Sequence, residues 1–329
     1  MILSYWLRLL SLCFASFFMV HVVVGLGVRF AERRIIGLAE RITARAAARL
    51  LFWVRILPAG TAVLVVAFAC APSYVRFEGR IVVERAGYVC LAMASFGALV
   101  WAGAIARGLR IAIHSVGFTC LCRRNGSMVR LAGRPSRMLV IQTSRPFLVQ
   151  SGILRPYIVI SQRLLSDFSN AELEAALGHE RAHWLSRDNG KRLVLAFLPG
   201  ILPFWRAFET LERSWSKFAE RAADDIVIAE GPGPALSLAT ALVRLARMHG
   251  TMGPPSWLPR GASLLEGSND LPGRVQRLLA PSRLGSPKFE RLATIWLGAA
   301  SLLAAGCLAV LASPLLQPSL HELLERFLH

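Results

Sequence analysis

The stretch GHERAH, residues 178–183, is the part of the sequence around which the rest is organised. Four residues of an α-helix advance about 400°, so His179 and His183 would share one face, roughly one turn apart. Glu180 would lie about 100° from His179, near enough to reach a water held beside the two imidazoles. This spacing is typical of a helix that binds zinc and activates water. It also occurs by chance on solvated helix faces.

The residues around this stretch predict a helix over about Asn170–Asn189. Ser169 and Glu172 have the spacing of a capping box, in which each residue satisfies a free N–H group at the start of a helix. Gly190 suits the C-terminal stop. The two histidines would then lie in the second half of one helix.

A catalytic zinc site needs a third protein ligand and one open position. The segment AERAADD, residues 219–225, is helical by context and offers Glu220 as that ligand. Asp224, four residues on, shares the face of Glu220 and would accept the second N–H of a ligating imidazole. Asp225 points elsewhere on the helix, so we choose Asp224 over it. The alternative is an ordinary solvated acidic turn.

These residues predict a peptide-bond hydrolase with one Zn²⁺ ion. His179, His183 and Glu220 would bind the ion, which lowers the pKa of water from about 15.7 toward about 7. Glu180 would take the proton and pass it to the leaving amine. Arg274 is a conceivable donor to the oxyanion, although its sequence context is more typical of an exposed helix arginine.

The composition indicates a membrane protein. Of 329 residues 54% are hydrophobic and 18% are charged, and the mean hydropathy is +0.49. A net charge of +18 suggests nucleic-acid binding as one function. However, the basic residues cluster beside apolar runs, and the sequence contains no nucleic-acid-binding signature. The positive-inside rule accounts for that charge, so we expect contact with the lipid bilayer and none directly with nucleic acid. The six cysteines imply no disulfide framework.

The fold class that follows is a mainly α membrane protein with four transmembrane helices and a cytoplasmic α+β domain between the third and fourth. A cleaved signal peptide competes for the first apolar run, and the basic segment after it reads either as an amphipathic helix on the membrane or as a solvated linker. The predicted segments are transmembrane helices at 1–28, 56–72, 86–106 and 292–313, a basic cytoplasmic segment at 29–55, an external loop at 73–85, a zinc metallopeptidase domain at 107–291 and an external tail at 314–329.

Two strands are predicted within the domain, at Met138–Thr143 and Tyr157–Ser161. Pro156–Ser161 would serve as a sheet edge that holds an extended substrate, although a core strand is the default interpretation. The broken apolar stretch Arg192–Trp205 fits a hairpin that dips into the membrane surface and equally an ordinary buried helical pair.

At these residues the chain resembles the membrane zinc metallopeptidases of the BlaR/MecR antirepressor type. The resemblance implies a gluzincin-like domain in the bacterial cytoplasmic (inner) membrane, facing the cytoplasm, that cleaves a cytoplasmic protein such as a winged-helix repressor. It also implies that Glu180 is the catalytic base. Asp188 matches a further position of the family, although a contact at the end of the helix is the plainer interpretation of this residue. The motifs that carry the resemblance are Ser151–Pro156, His179–His183 followed by Arg187–Asn189, Glu220–Asp224 and Arg274–Leu279.

The chain departs from that type because it lacks the extracellular penicillin-binding sensor domain. The S-x-x-K pattern at Ser214–Lys217 has no partner motifs, so we interpret it as coincidence and expect a separate sensor protein. A membrane quality-control or CAAX-type endopeptidase is the alternative, although the interval between His183 and Glu220 leaves little room for two intervening spans. A non-catalytic membrane signalling subunit is the third hypothesis, and an intact Glu180 argues against it.

Overall fold

Long apolar helices form the first part of the chain. The computed structural model describes residues 4–77, 87–130, 137–152, 157–202, 207–252 and 270–280, with isolated positions beyond 294. Stretches of 18 residues in the three helical runs have mean hydropathies of 2.3, 2.0 and 2.0, so each run is long and apolar enough to cross a membrane. The runs are α1 (Tyr5–Ala39); α2 (Ala44–Val65) joined by the π-helical turn Val66–Cys70 to α3 (Ala71–Phe77); and α4 (Tyr88–Asn125).

These helices extend beyond the predicted spans. The predicted basic segment 29–55 is divided between the end of α1 and the start of α2, and Thr43 caps α2 by accepting a hydrogen bond from the Ala46 N–H at 3.4 Å. The predicted fourth span, 292–313, and the tail, 314–329, lie outside the described ranges, isolated positions aside.

A small mixed sheet follows α4. Its strands are β1 (Gly126–Arg130), β2 (Arg137–Ile141), β3 (Leu148–Ser151) and β4 (Tyr157–Ser161), in the order β1-β2-β4-β3. β2 and β4 are parallel, and the other two pairs are antiparallel. The prediction that Pro156–Ser161 forms the sheet edge is wrong, because β4 lies between β2 and β3. All five residues of β4 are buried, which is typical of an interior strand.

Helices cover the sheet on both faces and build the α+β domain that the sequence predicts. On one face, buried Leu148 and Ile160 pack with Ala176 and Leu238. On the other face, a second cluster includes Phe118 from the end of α4. The domain helices are α5 (Gln162–Asp167), α6 (Asn170–Ser186), α7 (Asp188–Phe197), α8 (Glu209–Ala229), α9 (Pro232–Met252) and α10 (Leu271–Leu279).

The helix α6 begins as predicted but ends earlier. Ser169 and Glu172 form the capping box, with bonds of 3.3 and 2.8 Å. The prediction that Gly190 ends this helix is wrong, because Arg187 takes the left-handed conformation with φ of 54° and α7 starts at once. The reversal brings Asp188 back to His183, five residues earlier. In a straight helix these two residues would lie on different faces.

Basic side chains from three apolar helices hold the connection after α7. His21, Arg55 and Arg107 come from α1, α2 and α4, and His21 and Arg55 are almost fully buried. We call residues 196–200 together with these three side chains the junction. The bonds are His21 Nε2 to Gly200 O at 2.8 Å, Arg55 to Leu198 O and Pro199 O at 3.2 Å each, and Arg107 to Ala196 O at 3.0 Å and also to Leu198 O.

The junction also reaches α8. Arg55 Nε donates to Glu212 Oε1 at 2.9 Å, and its guanidinium lies 4.4 Å from the centre of the Phe208 ring. The end of α7 and the start of α8 are thereby bound to one side chain of α2. Packing is so close that a side chain on Gly108 of α4 would overlap the ring of Phe197. The apolar helices therefore fix the position of both helices.

Candidate metal centre

Two imidazoles of α6 face each other at the centre of the domain. The Nε2 atoms of His179 and His183 are 3.1 Å apart, and the ring planes are nearly perpendicular, at 82°. Both rings are buried, with residue exposures of 0% and 8%. The spacing of four residues thus brings both nitrogens to one point, as predicted from the helix geometry.

Glu220 of α8 reaches the same point. Its Oε2 lies 3.3 Å from His179 Nε2, and its Oε1 lies 3.5 Å from His183 Nε2. One donor atom from each of the three residues lies within 4.8 Å of the others. The structure therefore brings together the three predicted ligands from two helices that are distant in sequence.

Each imidazole has a carboxylate at its other nitrogen. His183 Nδ1 donates to Asp188 Oδ2 at 2.8 Å. His179 Nδ1 lies 3.0 Å from Asp224 Oδ1, close enough for an ion pair, although its N–H direction is off the line of a hydrogen bond. Because ionised carboxylates only accept, these contacts place the proton of each ring on Nδ1. Asp224 lies where the sequence predicted a partner for a ligating imidazole, and Asp188, which the resemblance marked only as a family position, contacts His183.

This arrangement fits a divalent metal ion. With the ring protons on Nδ1, two Nε2 lone pairs point toward one another at 3.1 Å, and a metal ion or a proton between them removes the repulsion. The buried Oε2 of Glu220 makes no hydrogen bond within the described residues, although an Arg274 nitrogen lies 3.2 Å from it as an ion-pair partner. Two imidazole nitrogens and one carboxylate oxygen form a donor set typical of catalytic zinc.

The electrostatics of the metal-free site also attract a positive charge. Burial by itself lowers the pKa of His183, but the charge of Glu220 and the hydrogen bond to Asp188 raise it to about 10. In the absence of metal a proton therefore takes part of the place of the cation. Metal binding would release that proton, as expected for ligands that must be deprotonated.

Glu180 is the buried carboxyl group next to the first ligand. It is 3% exposed, and burial raises the pKa of its carboxyl above the ordinary value. The charges of His183 and His179 oppose that increase. A carboxyl group with a raised pKa can accept a proton from water and release it again, which suits a general base.

Arg274 of α10 belongs to the site, and its description as an exposed helix arginine is wrong. The residue is 2% exposed, and its guanidinium donates two hydrogen bonds of 2.8 Å to Asp224. A third nitrogen lies 3.2 Å from Glu220 Oε2. Burial alone would raise the pKa of Asp224, but the Arg274 charge and the His179 contact lower it to about 2. Arg274 therefore keeps the aspartate ionised inside the protein.

Sequence reasoning missed Arg192 and the contacts of Asn189, which it had named only as part of the motif Arg187–Asn189; both residues lie on α7. Arg192 lies 3.3 Å from Glu220 Oε1. The Asn189 amide donates to the carbonyls of Gln150 and Gly152, at 3.3 and 3.2 Å, on the outer side of β3. Had the sequence predicted a helix that starts at Asp188, Arg192 would have been expected on the same face as Asp188, because residues four apart in a helix share a face.

Comparisons with known proteins indicate the class of protein. Residues 127–248 match the family model described as Peptidase family M48. A protein described as "Protease HtpX homolog", from Archaeoglobus fulgidus, is 29% identical over 86 residues, which cover 26% of this chain and 25% of that protein. The chain thus spans about a quarter of the length of this curated relative. No solved structure matches.

Site, helices and matches together define a class of protein. The segment 127–248 contains β1 to β4 and the helices that carry His179, His183 and Glu220. Three apolar helices in the described part of the chain precede it. These findings support a membrane metallopeptidase with an M48-type domain.

Proposed function

We propose that this protein is an integral-membrane zinc endopeptidase that hydrolyses peptide bonds of a cytoplasmic protein. The observation that carries the proposal is the convergence of His179, His183 and Glu220, with a buried Glu180 beside them. A purely structural zinc site has four protein ligands and no use for a base. The donor set here provides three ligands and one base.

The residues of the chain divide the reaction among them. Zinc, when bound, acts as a Lewis acid and lowers the pKa of water. Glu180 accepts a proton from the attacking water, whose oxygen forms a bond to the carbonyl carbon of the peptide. The carbon–nitrogen bond then breaks, and Glu180 returns the proton to the leaving amine. Asp188 and Asp224 hold the two imidazoles in the tautomer and orientation that this chemistry needs.

The substrate would be bound in extended form along β3, the outer strand beside β4. Phe147 O accepts from Ser161 N at 3.0 Å, so alternate residues of β3 direct their backbone groups away from β4. Asn189 already occupies the carbonyls of Gln150 and Gly152 on that side. All four residues of β3 are buried, so strand addition beside them requires that neighbouring side chains, Asn189 among them, move aside.

The finer proposal is that the substrate is a transcriptional repressor, of the winged-helix kind, in a signalling pathway of the bacterial inner membrane. Its support is the resemblance to the BlaR/MecR type at 151–156, 178–189 and 220–224. The described part of the interval between His183 and Glu220 consists of the end of α6, α7, residues 198–202 and the first half of α8, and the interval is too short for two spans. A separate sensor protein would supply the signal.

A second candidate is membrane quality control, in which the enzyme degrades damaged membrane proteins. The similarity to the Archaeoglobus fulgidus protein, which is described as a protease, is compatible with this candidate as with the first. Both candidates place the same hydrolysis at the same residues, and they differ in the substrate alone.

The test is Glu180→Gln in the full-length protein, kept in its membrane. We expect zinc binding to remain and proteolysis to fall by about 10²-fold or more, because the base is lost and the ligands are intact. Quantitative proteomics then identifies the proteins that persist uncut. A repressor among them supports regulation, and misfolded membrane proteins support quality control. Proteolysis unchanged from the wild type would favour a non-catalytic signalling subunit.

A further inference from the structure

The reaction proposed above creates a negative charge for which no residue has been named. When water attacks the peptide carbonyl, the C=O electron pair moves onto the oxygen and the Glu180 carboxylate takes the proton. Hydrolytic enzymes place a preformed donor or cation at that oxygen. A side chain for this task must be charged or polar, near Glu180 and Glu220, and accessible to a substrate.

Arg274 does not meet these conditions. Its guanidinium is 2% exposed and is held by both oxygens of Asp224 and by Glu220. A substrate could reach it only after these buried bonds had been broken. Its task is the orientation and charge balance of the carboxylates.

Arg192 meets all of them. Its side chain is 25% exposed, whereas that of its partner Glu220 is 5% exposed, so the guanidinium lies at the opening of the buried site. One N–H contacts Glu220 Oε1 at 3.3 Å, and this is its one hydrogen bond within the described part of the chain. A guanidinium has five N–H donors, so others remain for a ligand. The Arg192 charge is also among the neighbours that lower the pKa of Glu180, after the dominant effect of burial, which raises it.

The backbone holds Arg192 in this place. It lies four residues after Asp188 on α7, so both side chains share the face that looks onto the site. Asp188 anchors the start of that helix to His183, and the junction anchors its end. A charge on an element fixed at both ends needs little reorganisation when a substrate binds, which is the condition for effective electrostatic catalysis.

We infer that Arg192 is a catalytic residue that binds the carbonyl oxygen of the scissile bond and stabilises its negative charge in the transition state. The inference rests on the proposed peptidase function. When the carbon–nitrogen bond breaks, the electron pair returns from the oxygen to carbon, the amine receives the proton from Glu180, and Arg192 releases the new carboxyl group. Arg192 itself gives up no proton.

The test compares Arg192→Ala and Arg192→Gln with Arg213→Ala in the full-length, zinc-loaded protein. Arg213 is 72% exposed on α8 and pairs with Glu209, so it gives the same loss of charge away from the site. The probes are labelled casein and a quenched fluorescent peptide copied from the site in casein that is cut fastest. We expect kcat of both Arg192 variants to fall by about 10²- to 10³-fold with KM within about threefold, and Arg213→Ala to match the wild type.

Two further readouts separate catalysis from a structural role. The inhibition constant of a phosphinic analogue of the peptide, which imitates the transition state, should rise by the factor by which kcat/KM falls. The zinc dissociation constant, measured by competition with a chelator, should not increase, because Arg192 carries a positive charge beside a ligand. The Gln variant maintains this comparison if the Ala variant does not fold.

Two results would overturn the inference. One is kcat within about threefold of the wild type in both variants. The other is zinc affinity at least tenfold weaker together with lost activity, which would make Arg192 a support for Glu220. If neither the wild type nor Glu180→Gln cleaves either probe, the peptidase function is refuted as well. Failure of the Arg192 inference alone is therefore distinguishable from failure of the proposed function.

Discussion

Replacement of Arg274 by methionine should destabilise the zinc-free protein strongly. Methionine is apolar and nearly as long, so the change removes the charge and the hydrogen bonds while much of the volume remains. Asp224 loses two bonds of 2.8 Å, and Glu220 loses a contact at 3.2 Å. Both carboxylates are almost fully buried, and the charge of Asp224 is left without Arg274, its main partner. Breaking a buried pair in this way costs about 3–5 kcal/mol.

The matched control is Arg277→Met on the same helix. Arg277 bonds the neighbouring aspartate, Asp225, at 2.6 Å, so the chemistry of the two pairs is alike. The difference is solvent, since the side chains of this second pair are 22% and 15% exposed. Exposed ion pairs contribute about 0–1 kcal/mol, so we expect a small loss.

Thermal unfolding of the full-length protein in detergent, with a chelator and equal heating rates, measures the difference. For a domain of 150–250 residues about 1 kcal/mol corresponds to about 2–4 °C, so Arg274→Met should unfold about 6–20 °C earlier and Arg277→Met at most about 4 °C earlier. Zinc should raise Tm more in Arg274→Met than in the wild type, because a dication replaces the missing charge. Equal losses in the two variants would refute the account of Arg274 as the buried counter-ion.

Two smaller changes test the packing and the cap in the same unfolding assay. Gly108→Ala should lower the free energy of unfolding by about 1–3 kcal/mol, because the new methyl group overlaps the ring of Phe197. The control Gly103→Ala adds a methyl group that meets no atom within 4 Å, so it should be neutral or stabilise by up to about 1 kcal/mol. Equal destabilisation by both variants would contradict the close contact at Gly108. Ser169→Ala should cost about 1 kcal/mol through loss of the capping box, with Ser166→Ala on the exposed face of α5 as control, and indistinguishable Tm values would remove the cap from the account.

Local patterns in the sequence predict the centre of the site well. The helix α6, its capping box and the common face of His179 and His183 follow from spacing alone, since they depend on residues within a few turns. The same geometry chose Asp224 over Asp225, and the structure places Asp224 beside His179 and Asp225 beside Arg277. The catalytic and ligating roles of these residues stay predictions.

Contacts between distant segments could not be predicted in this way. The burial of Arg274 depends on the packing of α10 near α6 and α8. Arg274 is 95 residues from His179, so local spacing does not predict that it is buried. The left-handed Arg187 was missed because glycine, here Gly190, is the ordinary signal for a helix end. The interior position of β4 depends on β3, a strand of four residues that is too short to show a clear alternation.

The junction means that the peptidase has no clean border with its apolar helices. A fragment that starts at residue 107 would omit His21 and Arg55, so the carbonyls of Pro199 and Gly200 would lose their donors and Glu212 would lose its partner, while Leu198 O would keep Arg107. Such unsatisfied groups are costly wherever water is scarce. The isolated domain is therefore a poor substitute for the full-length protein, because the apolar helices help to position the helices that carry the candidate metal ligands.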